Sequence, residues 1–356
     1  KIMKKFSYIE LLRLFTSLSV VIYHYIHFFY PFNSFYNPEL KLDNTQLPFV
    51  LMLEIIYEYG RYGVQMFWAI SGFVFAYVYL DQLNKISSKD FFINRFARLY
   101  PLHLLTLIIV LGLQILSFQI NGNFEIYKGN DFYHFILNFF YINGWGLARE
   151  SSFNAPTWSV SIELIIYFIF FISITFLNRF KIKFVVMVYL FLLLIDKNLV
   201  SKNFYLTSFF DCFRLFFSGI LIYYLYSKIS NKLYLVLISI ILIFLSLLGS
   251  FKLFIFFPAT ILLLSALGTT KNKKLGNFFQ SSGDLTYALY LLHIPTQIII
   301  ILAFGYFDMK EDIFYSELFF LGYVGFLILI SSLSFRFYEK PLNYKLRKMF
   351  KRKNNM

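Results

Sequence analysis

An arginine and a histidine share one apolar stretch near the start of the chain, "RLFTSLSVVIYH", residues 13 to 24. In an α-helix the eleven-residue spacing places Arg13 and His24 on one face, about 16 Å apart along the axis. Glu10, three residues before the arginine, is placed to pair with it. Ionisable groups in an apolar helix usually face a cavity or a partner, because lipid contact is costly. The pattern predicts a polar site, and a snorkelling arginine with a buried structural histidine is the simpler alternative.

Two more arginines open a later apolar block, in "INRFARLYPLH", residues 93–103. Arg95 and Arg98 are three residues apart on a predicted helix, so their guanidinium groups lie on one face and suit a phosphate-bearing ligand. Plain anchoring of basic residues at the cytoplasmic surface explains the same pattern. His103 is interpreted as a packed helix residue.

A carboxylate enters an apolar block in "NAPTWSVSIELIIY", residues 154–167. Thr157 or Ser159 can cap a helix whose early turns carry the acid. Glu163 follows in the early turns, where it is either a functional acid or one favoured by the start of a helix.

Two stretches in the second half contain polar residues of undecided role. In "DLTYALYLLHIP", residues 284–295, His293 is as readily structural as functional, and the following proline predicts a kink. In "SFRFYEKPLN", residues 334–343, Glu339 precedes Lys-Pro, which predicts a helix stop that anchors the tail.

Two further features predict helix packing. The adjacent Ser71 and Gly72 in "MFWAISGFVFAY" permit close approach of a neighbouring helix. Asp211 and Arg214 are three residues apart and are expected to pair with each other.

Other kinds of catalytic site are not indicated. The five histidines are scattered and form no metal-binding cluster with cysteine, since Cys212 is the single cysteine. The sequence contains neither a glycine-rich phosphate loop nor a GxSxG motif.

The composition predicts a membrane protein. Of 356 residues 59% are hydrophobic, and the mean hydropathy is +0.64. The apolar residues occur in about ten blocks, long enough or nearly so to cross a bilayer, which predicts one all-α polytopic membrane bundle. The blocks are near 7–30, 62–80, 99–118, 160–178, 182–196, 207–227, 232–249, 253–268, 285–304 and 317–337.

The charges predict the orientation. The net charge is +14, and lysine and arginine concentrate in alternate loops and at both ends of the chain. By the positive-inside rule both termini are cytoplasmic. Nucleic-acid binding is not expected, since no soluble basic domain is present. The first apolar block is too long for a cleavable signal peptide.

The two longest outer loops, 31–60 and 119–159, are rich in asparagine, phenylalanine and tyrosine. They are interpreted as a lid, an acceptor surface or plain connectors. Within the second, "FYHFILNFFYI", residues 132–142, is too short to span a bilayer and is expected to lie along the membrane surface.

Taken together and in this order, these stretches resemble acyltransferase family 3, a family of integral membrane O-acyltransferases. That family carries an arginine, ten residues and a histidine in the first span, matched by Arg13 and His24. It carries Arg-x-x-Arg at the cytoplasmic start of the third span, matched by Arg95 and Arg98. Further matches are "MFWAISGF", "WSVSIELIIY", "TYALYLLHIP" and "EKP". The likeness covers essentially the whole chain as one domain, residues 1–356.

The chain departs from the family pattern at three points. Leu164 replaces the second acid of the family's "VEEQ" stretch, so any carboxylate role falls to Glu163 alone. Gln65 replaces an acid often found before the second-span aromatics. The soluble hydrolase-like domain that follows the spans in many relatives is not expected here.

The resemblance implies a bacterial inner-membrane enzyme that transfers an acyl group, usually acetyl, from acyl-coenzyme A to a hydroxyl group. The acceptor it implies is a cell-surface glycan, a lipid-linked sugar or a small molecule, and no metal is implied. It further implies that Arg13, Arg95 and Arg98 bind the donor, that His24 is the general base and that Glu163 assists catalysis. The residues expected to line or support the cavity are Glu10, Ser71, Trp158, Ser159, His293 and Glu339.

Two other classes stay open from the sequence. A transporter or exporter of glycans or acylated metabolites also uses intramembrane arginine and histidine. Paired broken helices typical of transporters are not evident, since Pro258 and Pro295 have no counterpart in the first half. A purely structural membrane subunit would leave the arginine and histidine pairs unexplained.

Overall fold

The computed structural model describes residues 6–30, 44–80, 87–194, 203–248 and 252–352, and within them the chain is helical with no β-strand. The α-helices are α1 Ser7–Tyr23, α2 Val50–Tyr59, α3 Gly63–Tyr79, α4 Ser88–Asn121, α5 Phe132–Phe139, α6 Trp158–Phe180, α7 Ile182–Leu194, α8 Phe204–Lys228, α9 Lys232–Leu248, α10 Lys252–Leu267, α11 Lys273–Tyr306, α12 Glu317–Ser334 and α13 Lys340–Arg352. Short 3₁₀ segments are His24–Phe28, Asn44–Gln46, Gly60–Tyr62, Ala155–Thr157 and Glu311–Tyr315.

In the part of the chain that the structure describes, six helical segments are long and apolar enough to cross a membrane. They are Ser7–Phe28, Ser88–Asn121, Ala155–Phe180, Phe204–Lys228, Lys273–Tyr306 and Glu317–Phe350. The predicted blocks near 182–196, 232–249 and 253–268 correspond to shorter apolar helices, and the block near 62–80 corresponds to the 17-residue helix α3. The all-helical membrane architecture is therefore confirmed, and the number of ten spans stays a prediction.

The chain divides into two compact units, each assembled from three separate stretches. Unit 1 comprises Lys1–Thr16, Tyr62–Ser88 and Ser159–Asp284, and unit 2 comprises Ser17–Arg61, Lys89–Trp158 and Leu285–Met356.

In unit 1 the closest helix contact joins α3 and α8. The α-carbon of Gly72 lies against the backbone carbonyl of Phe216, and Gly219 lies against that of Ala69. A side chain at either glycine would collide with backbone atoms of the opposite helix, so small residues allow the helices to touch. The prediction of close packing at the Ser71-Gly72 pair is confirmed.

Helix α8 also contacts α7 and α10 in unit 1, and α9 packs along α10. Arg214 on α8 pairs with Asp211 at 3.7 Å, as the three-residue spacing predicts, and also donates to the carbonyl of Leu192 at 3.1 Å. Internal partners thus hold Nη1 and Nη2 of this intramembrane cation, which fits a structural role, whereas Nε has no hydrogen-bond partner among the described residues.

In unit 2 the end of α1 and the helices α4 and α11 run in parallel. The Ser17 hydroxyl donates to the carbonyl of Thr286 on α11 at 3.0 Å. Seven residues farther along both segments, the rings of His24 and His293 are neighbours, so the two segments point in the same direction. Between α4 and α11, the contacts also advance in the same direction on both helices. They begin with the bond from the Tyr287 hydroxyl to Leu99 and end in an apolar cluster of Leu107, Val110, Ile294, Ile298 and Leu302.

Helix α12 runs antiparallel to these three helices. Tyr25, just after α1, packs on Phe320 near the start of α12, whereas Tyr338 beyond its end donates to the carbonyl of Pro101. A π-helical turn, Phe335–Glu339, then joins α12 to the basic helix α13. The predicted helix stop is wrong, because Pro341 lies in the first turn of α13, where proline is tolerated.

The chain between α4 and α6 folds back along α4. The Gln114 side chain bonds both backbone groups of Glu125, with distances of 2.9 Å. Farther on, the carbonyls of Asn138 and Phe139 meet His103 and Tyr100 of α4 at 2.7 and 2.9 Å. This segment, residues 122–157, follows α4 backwards for about 21 Å. We call it the re-entrant segment. Helix α5 within it packs on α4, and its course along the membrane surface stays a prediction.

Candidate active site

His24 is the first residue after α1, where the α-helix tightens into a 3₁₀ segment. Its Nδ1 atom lies 2.9 Å from the carbonyl of Val20. A carbonyl only accepts hydrogen bonds, so Nδ1 carries the proton and Nε2 of the neutral ring carries the lone pair. The residue is partly exposed. The α-helical spacing used to relate it to Arg13 ends one residue before it.

The rings of two further histidines lie next to that of His24. The ring centres of His27 and His293 lie 5.3 and 5.0 Å from that of His24. His27 is buried, and its Nε2 lies 3.2 Å from the hydroxyl of Tyr127 in the re-entrant segment. Gln297, one turn beyond His293 on α11, donates to the backbone carbonyl of His24 at 2.8 Å. The sequence-distant histidines thus form one cluster, which we call the histidine cluster: His24, His27 and His293.

The re-entrant segment reaches the level of the histidine cluster. Asn154 donates to the carbonyl of Leu291 at 2.8 Å and to the Thr106 hydroxyl at 3.3 Å. The hydroxyl of Tyr290 donates to the carbonyl of Pro156 at 2.6 Å. Non-helical backbone beside a membrane span persists where protein buries it or where it lines a cavity. These bonds hold the residues that lead into α6 against α11, where the bonded carbonyl of Leu291 is two residues before His293.

Arg95 and Arg98 lie near the start of α4, partly exposed. The backbone carbonyl of Leu99, the residue after Arg98, accepts a hydrogen bond from the Tyr287 hydroxyl, so Leu99 and Tyr287 lie at the same depth along α4 and α11. Six residues of helix separate Tyr287 from His293, which is about 9 Å along the axis. The arginine pair and the histidine cluster are therefore at different depths of unit 2.

Arg13 and Glu10 form the expected ion pair in unit 1, with 2.9 Å between Nη1 and Oε2. The Glu10 carboxylate lies against the backbone at Gly283, where any larger residue would collide with it. Glu163 on α6 is also in unit 1, and its side chain is 8% exposed. A carboxylate so well buried within a span is an uncommon feature.

The other predicted cavity residues occupy varied positions. Ser159 is buried at the start of α6, whereas Ser71 and Trp158 are partly exposed. Glu339 lies in the π-helical turn, 3.4 Å from the Ser334 hydroxyl. The interpretation of His103 as a packed residue agrees with its stacking on Tyr141 at 3.7 Å between ring centres.

Sequence reasoning missed His27, Tyr127, Gln297 and Asn154. His27 is three residues after His24, a spacing that places two residues on one helical face and was available as a signal. The other three have no local signal, because their partners are a hundred or more residues away or, for Asn154, on two different helices. Within the described residues no group of three histidine, cysteine, aspartate or glutamate side chains is arranged to hold a metal ion.

Comparisons with known proteins agree with this architecture. The family model described as an acyltransferase domain, of acyltransferase family 3, matches residues 6–338. Comparisons with curated proteins and with solved structures gave no significant match. The matched region includes the histidine cluster, the arginine pair of α4, five of the six long apolar segments and most of the sixth. The chain therefore belongs to acyltransferase family 3 and is a membrane acyltransferase.

Proposed function

We propose that the protein transfers an acyl group, most simply acetyl, from acyl-coenzyme A to a hydroxyl group of a cell-surface glycan or lipid-linked sugar. In enzyme nomenclature this is an acyltransferase of class 2.3.1, here in the bacterial inner membrane. The observation that carries the proposal is His24, whose Nδ1 proton is held by the Val20 carbonyl at 2.9 Å. The ring then offers Nε2 as a base at a partly exposed position.

The proposed reaction moves one proton through His24. Nε2 takes the proton of the acceptor hydroxyl while its oxygen attacks the thioester carbon. The tetrahedral intermediate then collapses, the carbon–sulfur bond breaks, and the leaving thiolate takes the proton from the imidazolium. The Val20 carbonyl favours the imidazolium as it forms, because it accepts the Nδ1–H bond in both protonation states.

Arg95 and Arg98 are assigned to the phosphates of the donor. Their one-face spacing on α4 suits a phosphate group, and both side chains are partly exposed. From the level of Leu99 the histidine cluster lies about 9 Å farther along the bundle axis, measured on α11, and the two arginines lie one and four residues before Leu99. The acyl-pantetheine arm of coenzyme A is thin and extended, and it suits this separation.

Arg13 is the third proposed donor-binding residue, oriented by Glu10 through the 2.9 Å ion pair. Glu163 is proposed to assist catalysis. Glu163→Gln keeps the shape of the side chain and removes its charge. Loss of turnover with unchanged thermal stability would support a catalytic role, and full turnover would assign Glu163 to the fold alone.

The proposed topology has ten spans and both termini in the cytoplasm. In support, the parallel course of α1, α4 and α11 and the opposite course of α12 match the directions expected for predicted spans one, three, nine and ten. The basic helix α13 then lies in the cytoplasm, in agreement with the positive-inside rule.

The acceptor is proposed to arrive from the outer side. His24 follows α1 at the end that the topology places outward, whereas Arg95 and Arg98 lie at the inner end of α4. The re-entrant segment buries the side-chain oxygens of Asn138, Asn143 and Asn154 without hydrogen-bond partners among the described residues. Free amide oxygens are acceptors suited to the hydroxyl groups of a sugar.

Binding of acetyl-coenzyme A to the purified protein tests the donor site. Arg95→Ala/Arg98→Ala should weaken binding roughly 100-fold, because each substitution removes charge-assisted hydrogen bonds to phosphate. Arg149→Ala is the matched control, since this exposed arginine lies over the ring of Tyr133 in the re-entrant segment. Absence of binding to folded wild-type protein would favour an exporter instead.

Sealed inverted vesicles test the side of transfer. With radiolabelled acetyl-coenzyme A supplied outside, on their cytoplasmic face, label should reach glycan enclosed in the lumen. Transfer only to glycan on the cytoplasmic face would refute the cross-membrane route while leaving the acyltransferase activity intact.

A further inference from the structure

His293 is the most completely buried member of the histidine cluster, with 0% exposure on α11. Among the described residues neither ring nitrogen has a hydrogen-bond partner. The carbonyls of Leu289 and Tyr290, one turn back, interact with the ring but do not meet the geometry of a hydrogen bond with it. Carbonyls can satisfy only an N–H group, so the other ring nitrogen lacks a donor in any case.

A buried polar group without a partner is costly, and natural folds keep such groups mainly where a ligand or water satisfies them. The cost is greater within an apolar helix, where a leucine or phenylalanine would pack equally well. His293 adjoins His24, with 5.0 Å between ring centres and 40° between ring planes. The unsatisfied nitrogens thus lie beside the proposed base.

We infer that His293 and His24 together bind the hydroxyl group that accepts the acyl group. An oxygen roughly 3 Å from one nitrogen of each ring fits the separation of the ring centres. The oxygen donates its proton to Nε2 of His24 and accepts the N–H of His293. Its remaining lone pair is then free and oriented for attack on the thioester.

This inference rests on the proposed function and adds a second contact to it. In the transfer step the hydroxyl proton moves to His24, the oxygen–carbon bond forms and the carbon–sulfur bond breaks, as above. His293 stays neutral and keeps its proton throughout, so its contribution is orientation of the acceptor. Water can occupy the same position, in which case the product is free acetate.

The test compares His293→Phe, which keeps a ring but removes both nitrogens, with His293→Gln, which keeps an N–H donor. Three quantities are measured: thiol release from acetyl-coenzyme A with water as acceptor, acetyl-coenzyme A affinity and melting temperature. The thiol-release assay is repeated with added glycerol, and the glycerol acetate formed is measured. This product shows whether an alcohol, rather than water, acts as the acceptor. His103→Gln is the matched control for loss of a buried imidazole.

We expect His293→Phe to lower thiol release roughly 100-fold with unchanged donor affinity and a melting temperature equal to or above that of the wild type. His293→Gln should recover part of the rate. A structural histidine gives the opposite result: a lower melting temperature in His293→Phe with thiol release near the wild-type rate. If phenylalanine does not fit, His293→Leu gives the same comparison.

The outcome also separates this inference from the proposed function. If His24→Ala stops thiol release but His293→Phe does not, only the inference fails. If wild-type protein neither binds nor consumes acetyl-coenzyme A, the proposed function fails.

Discussion

The histidines of unit 2 differ in the hydrogen bonds that their ring nitrogens make. His134 on α5 is buried, and both of its ring nitrogens are satisfied: Nδ1 by Asp131 at 2.7 Å, and Nε2 by the backbone N–H of Arg149 at 3.2 Å. At His24, by contrast, the Val20 carbonyl satisfies Nδ1, and Nε2 is left to act as a base. His293 has neither nitrogen satisfied among the described residues.

The hydrogen-bond partners of these rings suggest their roles more directly than residue type or depth of burial does. The His134 side chain links the start of α5 to the loop that follows this helix. Oδ1 of Asp131, which accepts the bond from the His134 ring, also caps the helix by accepting the backbone N–H of His134. The hydrogen bonds to His134 and the charge of Arg149 lower the pKa of the Asp131 carboxyl, the backbone bond contributing most. At His293 the fold instead leaves both ring nitrogens without a partner among the described residues, which costs stability and would suit the binding of a ligand.

The largest expected effect is the loss of activity when the proposed base is removed. His24→Ala should lower thiol release from acetyl-coenzyme A roughly a thousandfold, because the general base is lost, with little change in melting temperature. His134→Ala should leave thiol release near the wild-type rate and reduce the free energy of unfolding by about 1–3 kcal/mol. Thiol release and thermal unfolding of both variants in detergent check the prediction. Equal loss of activity in both would remove the distinction between the two sites.

The next effect concerns the scaffold of unit 1. Gly219→Ala should destabilise the protein by about 1–3 kcal/mol, because the new methyl group meets the Ala69 carbonyl across the α3–α8 contact. Gly322→Ala on α12 is the control, since no atom lies within 4 Å of the added carbon. That control should be neutral or stabilising by about 0.5–1 kcal/mol. The measurement is thermal unfolding, and similar changes in both variants would contradict the tight contact.

The smallest effect concerns a carboxyl group in the re-entrant segment. Burial raises the pKa of Glu125, against the opposing hydrogen bonds from Ser117 and Asn121. The folded protein therefore holds this proton more tightly than the unfolded chain does. The resulting stabilisation is complete below the unfolded-state pKa and is lost as the pH rises through the folded-state pKa.

Glu125→Gln removes this titration. The melting temperature of the variant relative to wild type should rise between pH 4 and pH 8, because only the wild-type protein loses the stabilisation. Melting curves of both proteins across this range measure the difference. A difference that is constant with pH would show that Glu125 does not titrate in the folded protein there.

The sequence was informative where a property is local. Apolar blocks predicted the long helices, because bilayer thickness sets their length, and residue spacing predicted the Glu10–Arg13 and Asp211–Arg214 pairs. The helix stop before Pro341 was predicted wrongly, because the same dipeptide also permits proline in the first turn of a new helix.

Properties that depend on distant contacts were not predictable. His24 and His293 are 269 residues apart, and no pattern in a single sequence joins them. The course of α5 back along α4 depends on buried asparagine and glutamine side chains, which look like ordinary loop residues in the sequence. Consequently His24 was singled out from the sequence as a candidate base, but the residues that surround it were not.

The most direct test of the central claim is the proton position on His24. With only five histidines in the chain, nitrogen-15 NMR of histidine-labelled protein can distinguish each ring, with His24→Gln to assign the signal. The account predicts a neutral His24 at pH 7 with its proton on Nδ1 and an unprotonated Nε2. A proton on Nε2 of the neutral ring would contradict its role as the base that accepts the hydroxyl proton.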